Sequence, residues 1–128
     1  MKNIINSHHP VRHVKSFKYA FEGIFHALLN EPNFRVQLII VITSIILGVY
    51  FRISNAEWGL LTISMGFLLS AEMFNTVIEE VLDHLISEQH EGVKIIKDVS
   101  AGFVLITAVT AMIILFLIFG WRILPLFV

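Results

Sequence analysis

Three long apolar runs, separated by short charged segments, are the feature that most limits how this chain can fold. The runs lie at residues 34–53, 58–78 and 99–120, and the last of them contains no charged residue. A helix needs about 20 apolar residues to cross a hydrocarbon core roughly 30 Å thick. Because backbone amides in lipid must be paired within the protein, each run is predicted to form a transmembrane helix.

The composition agrees with a membrane class. Of the 128 residues, 56% are hydrophobic and 15% are charged, and the mean hydropathy is +0.80, more apolar than a water-soluble domain of this size requires. The net charge of -1 argues against a nucleic-acid partner, which would need a basic face. The absence of cysteine excludes disulfides and thiolate chemistry. We expect one membrane-embedded domain over residues 1–128.

The basic residues give the expected orientation. Only Arg52 and Arg122 lie on one side of the predicted spans, so the positive-inside rule makes the other side cytoplasmic. The N-terminus and the helix end and loop at residues 79–98 should therefore be cytoplasmic, in a multi-pass protein of the inner (cytoplasmic) membrane. No cleavable signal peptide is visible. The basic residues on the cytoplasmic side are Lys2, Arg12, Lys15, Lys18, Arg35, Lys94 and Lys97.

The segment before the first span differs from the spans. Residues 1–10 read as a polar arm, whereas residues 11–31 carry apolar side chains at helical spacing with polar residues on the other faces. This pattern predicts an amphipathic helix in the cytoplasmic interface, and Pro32 should interrupt the helix before the first span. The apolar stripe contains Val14, Phe17, Phe21, Ile24, Phe25 and Leu28.

The end of the second span contains the residues that are hardest to explain in a membrane. At roughly 100° per residue, Glu72, Asn75, Thr76, Glu79 and Asp83 share one helix face, with Glu72 about 10 Å deeper than Glu79. An ionisable group in the bilayer is costly, so the default interpretation is a working site. Burial disfavours the ionised form of Glu72 and suits it to accept a proton from an alcohol.

The shallower carboxylates have another possible use. Glu79, together with Glu31 at the membrane entry, offers the oxygen ligands that Mg²⁺ prefers. Two structural alternatives stay open. The acidic run can be the solvated exit of a helix, and Glu72 can be a polar contact between helices.

The segment after the second span favours a phosphate ligand. It places Lys94 and Lys97 beside acidic residues, and lysines with Mg²⁺-bound carboxylates are common equipment for phosphoryl transfer. The chain has neither the GxxxxGK[ST] phosphate loop nor the protein-kinase motifs. Any nucleotide site must therefore be unconventional.

Taken together, these motifs resemble the prokaryotic diacylglycerol kinase family, which includes the undecaprenol kinases. The segment 72–83 matches its E-x-x-N-T-x-I-E-x-x-x-D signature, and residues 97–102 match its K-D-x-x-A-G. The resemblance covers most of the chain, with Pro32 and Glu91 as departures. It implies an all-α integral membrane protein, an N-terminal amphipathic surface helix plus three transmembrane helices, assembled as a homotrimeric bundle with sites between chains.

The resemblance also implies an activity, transfer of the γ-phosphate of ATP to a membrane lipid hydroxyl with Mg²⁺. Glu72 would be the general base and Asn75 would orient it, while Glu31 and Glu79 would bind the metal. The nucleotide site would contain Arg12, Tyr19, Glu31, Glu79, Glu88, His90, Lys97 and Asp98. The lipid side would contain Ala20, Phe21, Gly23, Ile24, Phe34 and Arg35.

Two questions remain open at the level of sequence. The acceptor can be diacylglycerol or undecaprenol, because both present a primary hydroxyl on a long apolar body. The SFKYAFEG stretch and the Glu57–Trp58 pair resemble the undecaprenol kinase branch somewhat more. The alternative class is a non-enzymatic oligomer, a cation pore or a scaffold, whose acidic residues line a channel.

Overall fold

The structure, a computed structural model, is all-helical over the residues that it describes. It describes the backbone of residues 10–86 and 90–126 and the side chains of residues 14–86 and 90–125. The four helices are α1 (Pro10–Asn30), α2 (Pro32–Tyr50), α3 (Asn55–Leu85) and α4 (Glu91–Ile123), followed by a 3-10 turn at Leu124–Leu126. Helices α2, α3 and α4 are long and apolar enough to cross a membrane.

Helices α1 and α2 meet at the predicted break. Helix α1 ends at Asn30, Glu31 has an extended backbone, and Pro32 occupies the first turn of α2, where a missing N–H does no harm. Arg35 Nη1 donates to the backbone carbonyls of Leu28 and Leu29 at 3.2 and 2.9 Å. Since the last carbonyls of a helix lack partners within it, this guanidinium caps α1 and holds the corner at Glu31.

A tight connection joins α2 to α3 at the opposite end. Arg52 takes a left-handed backbone conformation, with φ of 50°, and Ser54 then starts α3 through a capping box. Ser54 Oγ accepts from the Glu57 backbone N–H at 3.3 Å, and Glu57 Oε2 accepts from the Ser54 N–H at 2.8 Å. Glu57 is also bridged by both guanidinium nitrogens of Arg122 in α4, at 2.8 and 3.0 Å. These contacts fix this end of the bundle.

The apolar core lies where α3 packs on α4, and α2 covers one side of it. Apolar residues of α3 and α4, with Ile53 from the connection, form the buried cluster. Gly48 in α2 allows close approach, because a Cβ there would lie 2.7 Å from Cη2 of Trp58. Most other large apolar side chains of the spans are exposed in the single chain. The cluster contains Ile53, Leu61, Met65, Leu68, Ala111, Ile118 and Phe119.

The segment at residues 79–98 differs from the expected helix end and loop. Helix α3 continues to Leu85 and α4 already begins at Glu91, so Lys97 and Asp98 are helical. Of the described residues, only Ile86 and His90 in this segment lie outside the helices. The physical reason is that the polar ends of α3 and α4 extend the apolar spans, so a drop in hydropathy marks the end of the apolar stretch and not the end of the helix.

Candidate functional site

Glu72 lies at the centre of the candidate site and is buried as predicted. Only 2% of the residue is exposed, and its carboxylate Oε2 accepts a hydrogen bond from Gln37 Nε2 of α2 at 2.8 Å. The Glu72 backbone carbonyl accepts from the hydroxyl of Thr76 at 3.1 Å, one turn further along α3. The carboxylate is therefore held between two helices within the apolar part of the fold.

The described side-chain hydrogen bond of Asn75 goes to Glu79, whereas Asn75 was expected to orient Glu72. Its Nδ2 donates to Oε1 of Glu79 at 3.0 Å, so the described contacts tie it to the shallower carboxylate. The reason is geometric, since residues four apart on a helix are neighbours on one face. Gln37 makes the contact with Glu72 that the sequence had suggested for Asn75. In both amides the oxygen is buried without a hydrogen-bond partner among the described residues.

Glu31 adds a third carboxylate to this region. Burial raises the pKa of Glu31 above its ordinary value, and the negative charges of Glu79, Glu72 and Glu80 raise it further. His26 acts in the opposite direction. The helix break at Pro32 brings Glu31 from the corner between α1 and α2 close enough to interact with acidic residues of α3. The result is a concentration of negative charge with few cations to balance it.

This donor set fits a hard divalent cation. Glu31 and Glu79 offer carboxylate oxygens, and mutual repulsion among the acids favours a positive ion between them. No group of three or more metal-ligating side chains occurs among the described residues. Mg²⁺ does not require one, because it is commonly held by one or two carboxylates together with phosphate oxygens and water.

Of the other residues expected at a nucleotide, Tyr19, His90, Lys97 and Asp98 have side chains that the structure describes. Lys97 Nζ of α4 pairs with Oδ1 of Asp83 of α3 at 2.6 Å, and Asp98 pairs with Lys94 one turn away. His90, at the N-terminus of α4, and Tyr19, on α1, are exposed. The side chain of Arg12 and the whole of Glu88 lie outside the described residues.

The residues expected on the lipid side fall into two groups. Ala20, Phe21, Gly23 and Ile24 are exposed on α1. Phe34 is instead buried, with 3% exposed, and Arg35 is engaged with the end of α1. The four residues of α1 are therefore accessible at the surface of the chain. Phe34 packs in its interior, and Arg35 caps the end of α1.

Sequence reasoning missed Gln37. It was visible only as the most polar residue of the first apolar run, and its partner lies 35 residues away in another helix. A buried amide inside a span is itself a signal, because hydrocarbon penalises an unpaired polar group.

The fold and the site define an all-helical protein with three helices that are long and apolar enough to cross a membrane. A buried carboxylate, that of Glu72, lies where two of these helices, α2 and α3, are in contact. Comparison with known proteins gives the class. The model of the family described as prokaryotic diacylglycerol kinase matches residues 18–119. The chain is 34% identical to an undecaprenol kinase of Bacillus subtilis over 108 residues, 84% of this chain and 88% of that protein.

Two further relatives carry the name diacylglycerol kinase. The one from Escherichia coli is 29% identical over 102 residues, 80% of this chain and 84% of that protein. The one from Synechocystis is 30% identical over 100 residues, 77% of this chain and 57% of that protein. The chain belongs to the prokaryotic diacylglycerol kinase family, and is thus a lipid kinase of the membrane.

Proposed function

We propose that the chain transfers the γ-phosphate of ATP to the primary hydroxyl of a membrane lipid alcohol, with Glu72 as the general base. The product is phosphatidic acid if the acceptor is diacylglycerol and undecaprenyl phosphate if it is undecaprenol. The observation that carries the proposal is the burial of Glu72, 2% exposed, in a span of a chain that belongs to a lipid kinase family.

The chemistry follows from the position of Glu72. Its carboxylate takes the proton of the lipid hydroxyl as the lipid oxygen attacks the γ-phosphorus. The bond between the γ-phosphorus and the oxygen that bridges it to the β-phosphate breaks, and ADP leaves. A base in an apolar, water-poor setting favours the lipid alcohol over water as the nucleophile.

Glu31 and Glu79 are the residues that would hold Mg²⁺, which when bound would supply positive charge to the phosphate oxygens. Asn75 supports this assignment by fixing Glu79 through the bond at 3.0 Å. Lys97 and Asp98, with Tyr19, His90, Arg12 and Glu88, are proposed around the nucleotide. Lys97 would leave Asp83, 2.6 Å away, to reach a phosphate.

The surface helix is proposed to present the acceptor. The exposed apolar residues of α1, such as Phe21 at 69% and Ile24 at 42%, suit a helix in the cytoplasmic interface. The lipid hydroxyl would enter beside Ala20 and Gly23, with Phe34 and Arg35 at the corner below. With the basic residues on this side, the N-terminus and the site would face the cytoplasm across the inner membrane.

A homotrimer with sites between chains is part of the proposal. One chain leaves long apolar faces of its spans exposed, and the described amide oxygens of Gln37 and Asn75 lack donors. The exposed small residues Gly66 and Ser70 allow close helix approach. Neighbouring chains would cover these faces and complete the nucleotide site.

The test of the acceptor is a direct comparison. Purified protein in mixed micelles with Mg²⁺ and labelled ATP is given diacylglycerol or undecaprenol at equal surface concentration. Label in one lipid identifies the acceptor, and the likeness to the undecaprenol kinase favours undecaprenol. Label in neither lipid, with the protein folded, would contradict the kinase proposal. Ion flux through the protein that is indifferent to ATP would then favour the pore.

A further inference from the structure

Among the described residues, Gln37 is the side chain that donates a hydrogen bond to the carboxylate of Glu72. Its Nε2 lies 2.8 Å from Oε2 of Glu72, and both residues are buried, with 8% and 2% exposed. The bond joins α2 to α3 near the end of the bundle at which α2 begins. Glu72 thus depends on another helix for its only described side-chain donor.

The orientation of the Gln37 amide is fixed by this contact. A carboxylate only accepts hydrogen bonds, so the nitrogen must face Glu72 and the amide oxygen must point elsewhere. That oxygen is buried and has no described partner. An apolar residue would fill the same space without an unpaired acceptor, which costs free energy in an apolar interior. Packing alone therefore does not explain an amide at this position.

We infer that Gln37 is a positioning residue for the base. This inference rests on the proposed role of Glu72. A donated N–H holds one carboxylate oxygen in place and leaves the other free to take a proton from the acceptor. Gln37 itself touches neither the nucleotide nor the reacting hydroxyl in this assignment.

The inference predicts a defined pattern in two substitutions. Gln37→Met keeps the volume and removes the donor, so kcat falls about tenfold with little change in KM. Gln37→Glu replaces the donor with a second carboxylate, so kcat falls further than in Gln37→Met, again with little change in KM.

The kinetic constants kcat and KM are measured with the full chain in mixed micelles, and the parent is the first reference. Both Gln37 variants keep Glu31 and Glu79, the carboxylates proposed to bind the metal. Thr107→Val is the matched control. Thr107 is also buried, and its hydroxyl donates to the Val104 carbonyl at 2.8 Å, away from the acids.

The outcomes separate this inference from the proposed function. A fall in kcat at nearly constant KM that grows from the parent to Gln37→Met to Gln37→Glu supports it. Values of kcat and KM equal to those of the parent and Thr107→Val, with Glu72→Gln inactive, would make Gln37 a packing residue only. If Glu72→Gln turns over at the parental rate, the proposed function itself fails. Size-exclusion chromatography identifies a Gln37 variant that does not assemble. The inference is then tested with the kinetic constants of the other Gln37 variant.

Discussion

Asn75 and Glu79 are joined one turn apart on α3, with 3.0 Å between Asn75 Nδ2 and Glu79 Oε1. The bond holds the shallower carboxylate in place and separates its role from that of Glu72, which is held from α2. Two carboxylates on one helix face thus have different supports. Different supports suit the two proposed tasks, that of a proton acceptor for Glu72 and that of a cation ligand for Glu79.

The Glu79 assignment predicts an altered metal requirement. Glu79→Gln removes a charged oxygen ligand, so the Mg²⁺ concentration for half-maximal activity should rise at least tenfold, about 1.4 kcal/mol of lost cation affinity. Asn75→Leu should cause a smaller rise, because the ligand remains and only its support is lost. Titrations of activity with Mg²⁺ at saturating ATP measure both effects. Parental Mg²⁺ curves in both variants would contradict the assignment.

The raised pKa of Glu31 predicts that the stability of the protein depends on pH. This pKa is raised in the folded protein by burial and by Glu79, Glu72 and Glu80. The folded state therefore binds more protons than the unfolded state above the ordinary pKa of 4.5, and the free energy of unfolding falls as the pH rises through this window. Glu31→Gln should flatten the fall, measured as Tm from pH 4 to 8 in metal-free micelles.

The matched control for this measurement is Glu22→Gln. Glu22 is an exposed glutamate on α1, and its Oε1 lies 3.7 Å from Nζ of Lys18. Glu22→Gln should therefore leave the slope of Tm against pH at the parental value. Addition of Mg²⁺ with nucleotide should then raise the Tm of the parent more than that of Glu31→Gln, because binding to the folded state stabilises it. Equal slopes of Tm against pH for the parent and Glu31→Gln would show that burial and the charges of Glu79, Glu72 and Glu80 do not raise the pKa of Glu31.

The ion pair at the opposite end of the bundle predicts a loss of stability without a loss of chemistry. Arg122 bridges both oxygens of Glu57, and the two side chains are 12% and 23% exposed. Arg122→Leu leaves this carboxylate without its cation, which should lower the free energy of unfolding and the Tm. Adding Glu57→Gln should restore part of the loss.

Thermal unfolding of the two single variants and the double variant measures this coupling. The KM for ATP of the folded protein should stay at the parental value, because Glu57 and Arg122 lie far along the spans from Glu31. Additive effects of the two substitutions would mean that the pair contributes nothing to stability.

The contact between α2 and α3 predicts a steric effect at Gly48. A Cβ at this position would lie 2.7 Å from Cη2 and 2.9 Å from Cζ2 of Trp58, so Gly48→Ala should destabilise the protein by about 1–3 kcal/mol. Gly59→Ala is the control, since a Cβ there meets no atom within 4 Å. It should be neutral or gain about 0.5–1 kcal/mol from helix propensity. A lowered Tm in Gly59→Ala alone would contradict the predicted packing.

Much of the fold could be predicted from the sequence because its signals are local. Apolar length predicted the spans in α2, α3 and α4, and Pro32 marked the break after α1. The burial of Glu72 was also predicted, because an acid in an apolar run must face protein. Where the apolar pattern fades, residues 79–98 were predicted to be a helix end and a loop, and the described part of this segment is largely helical because α3 and α4 continue beyond the apolar spans.

The rest depends on how helices cross, which one sequence does not reveal. Gln37 meets Glu72 across 35 residues, whereas the family resemblance pointed to Asn75. Arg35, which was predicted on the lipid side, caps α1, because the turn at Pro32 brings it back to the carbonyls of Leu28 and Leu29. These contacts are long-range or follow from the angle of a corner.

Phosphate transfer by the parent and by Glu72→Gln tests the central claim most directly. Both proteins are assayed with labelled ATP, Mg²⁺ and a lipid acceptor in mixed micelles, and nucleotide binding is followed through the rise in Tm. The account predicts a rate at least about 10²-fold lower in Glu72→Gln, with assembly and nucleotide protection retained. A rate equal to that of the parent would contradict the role of Glu72 as the base.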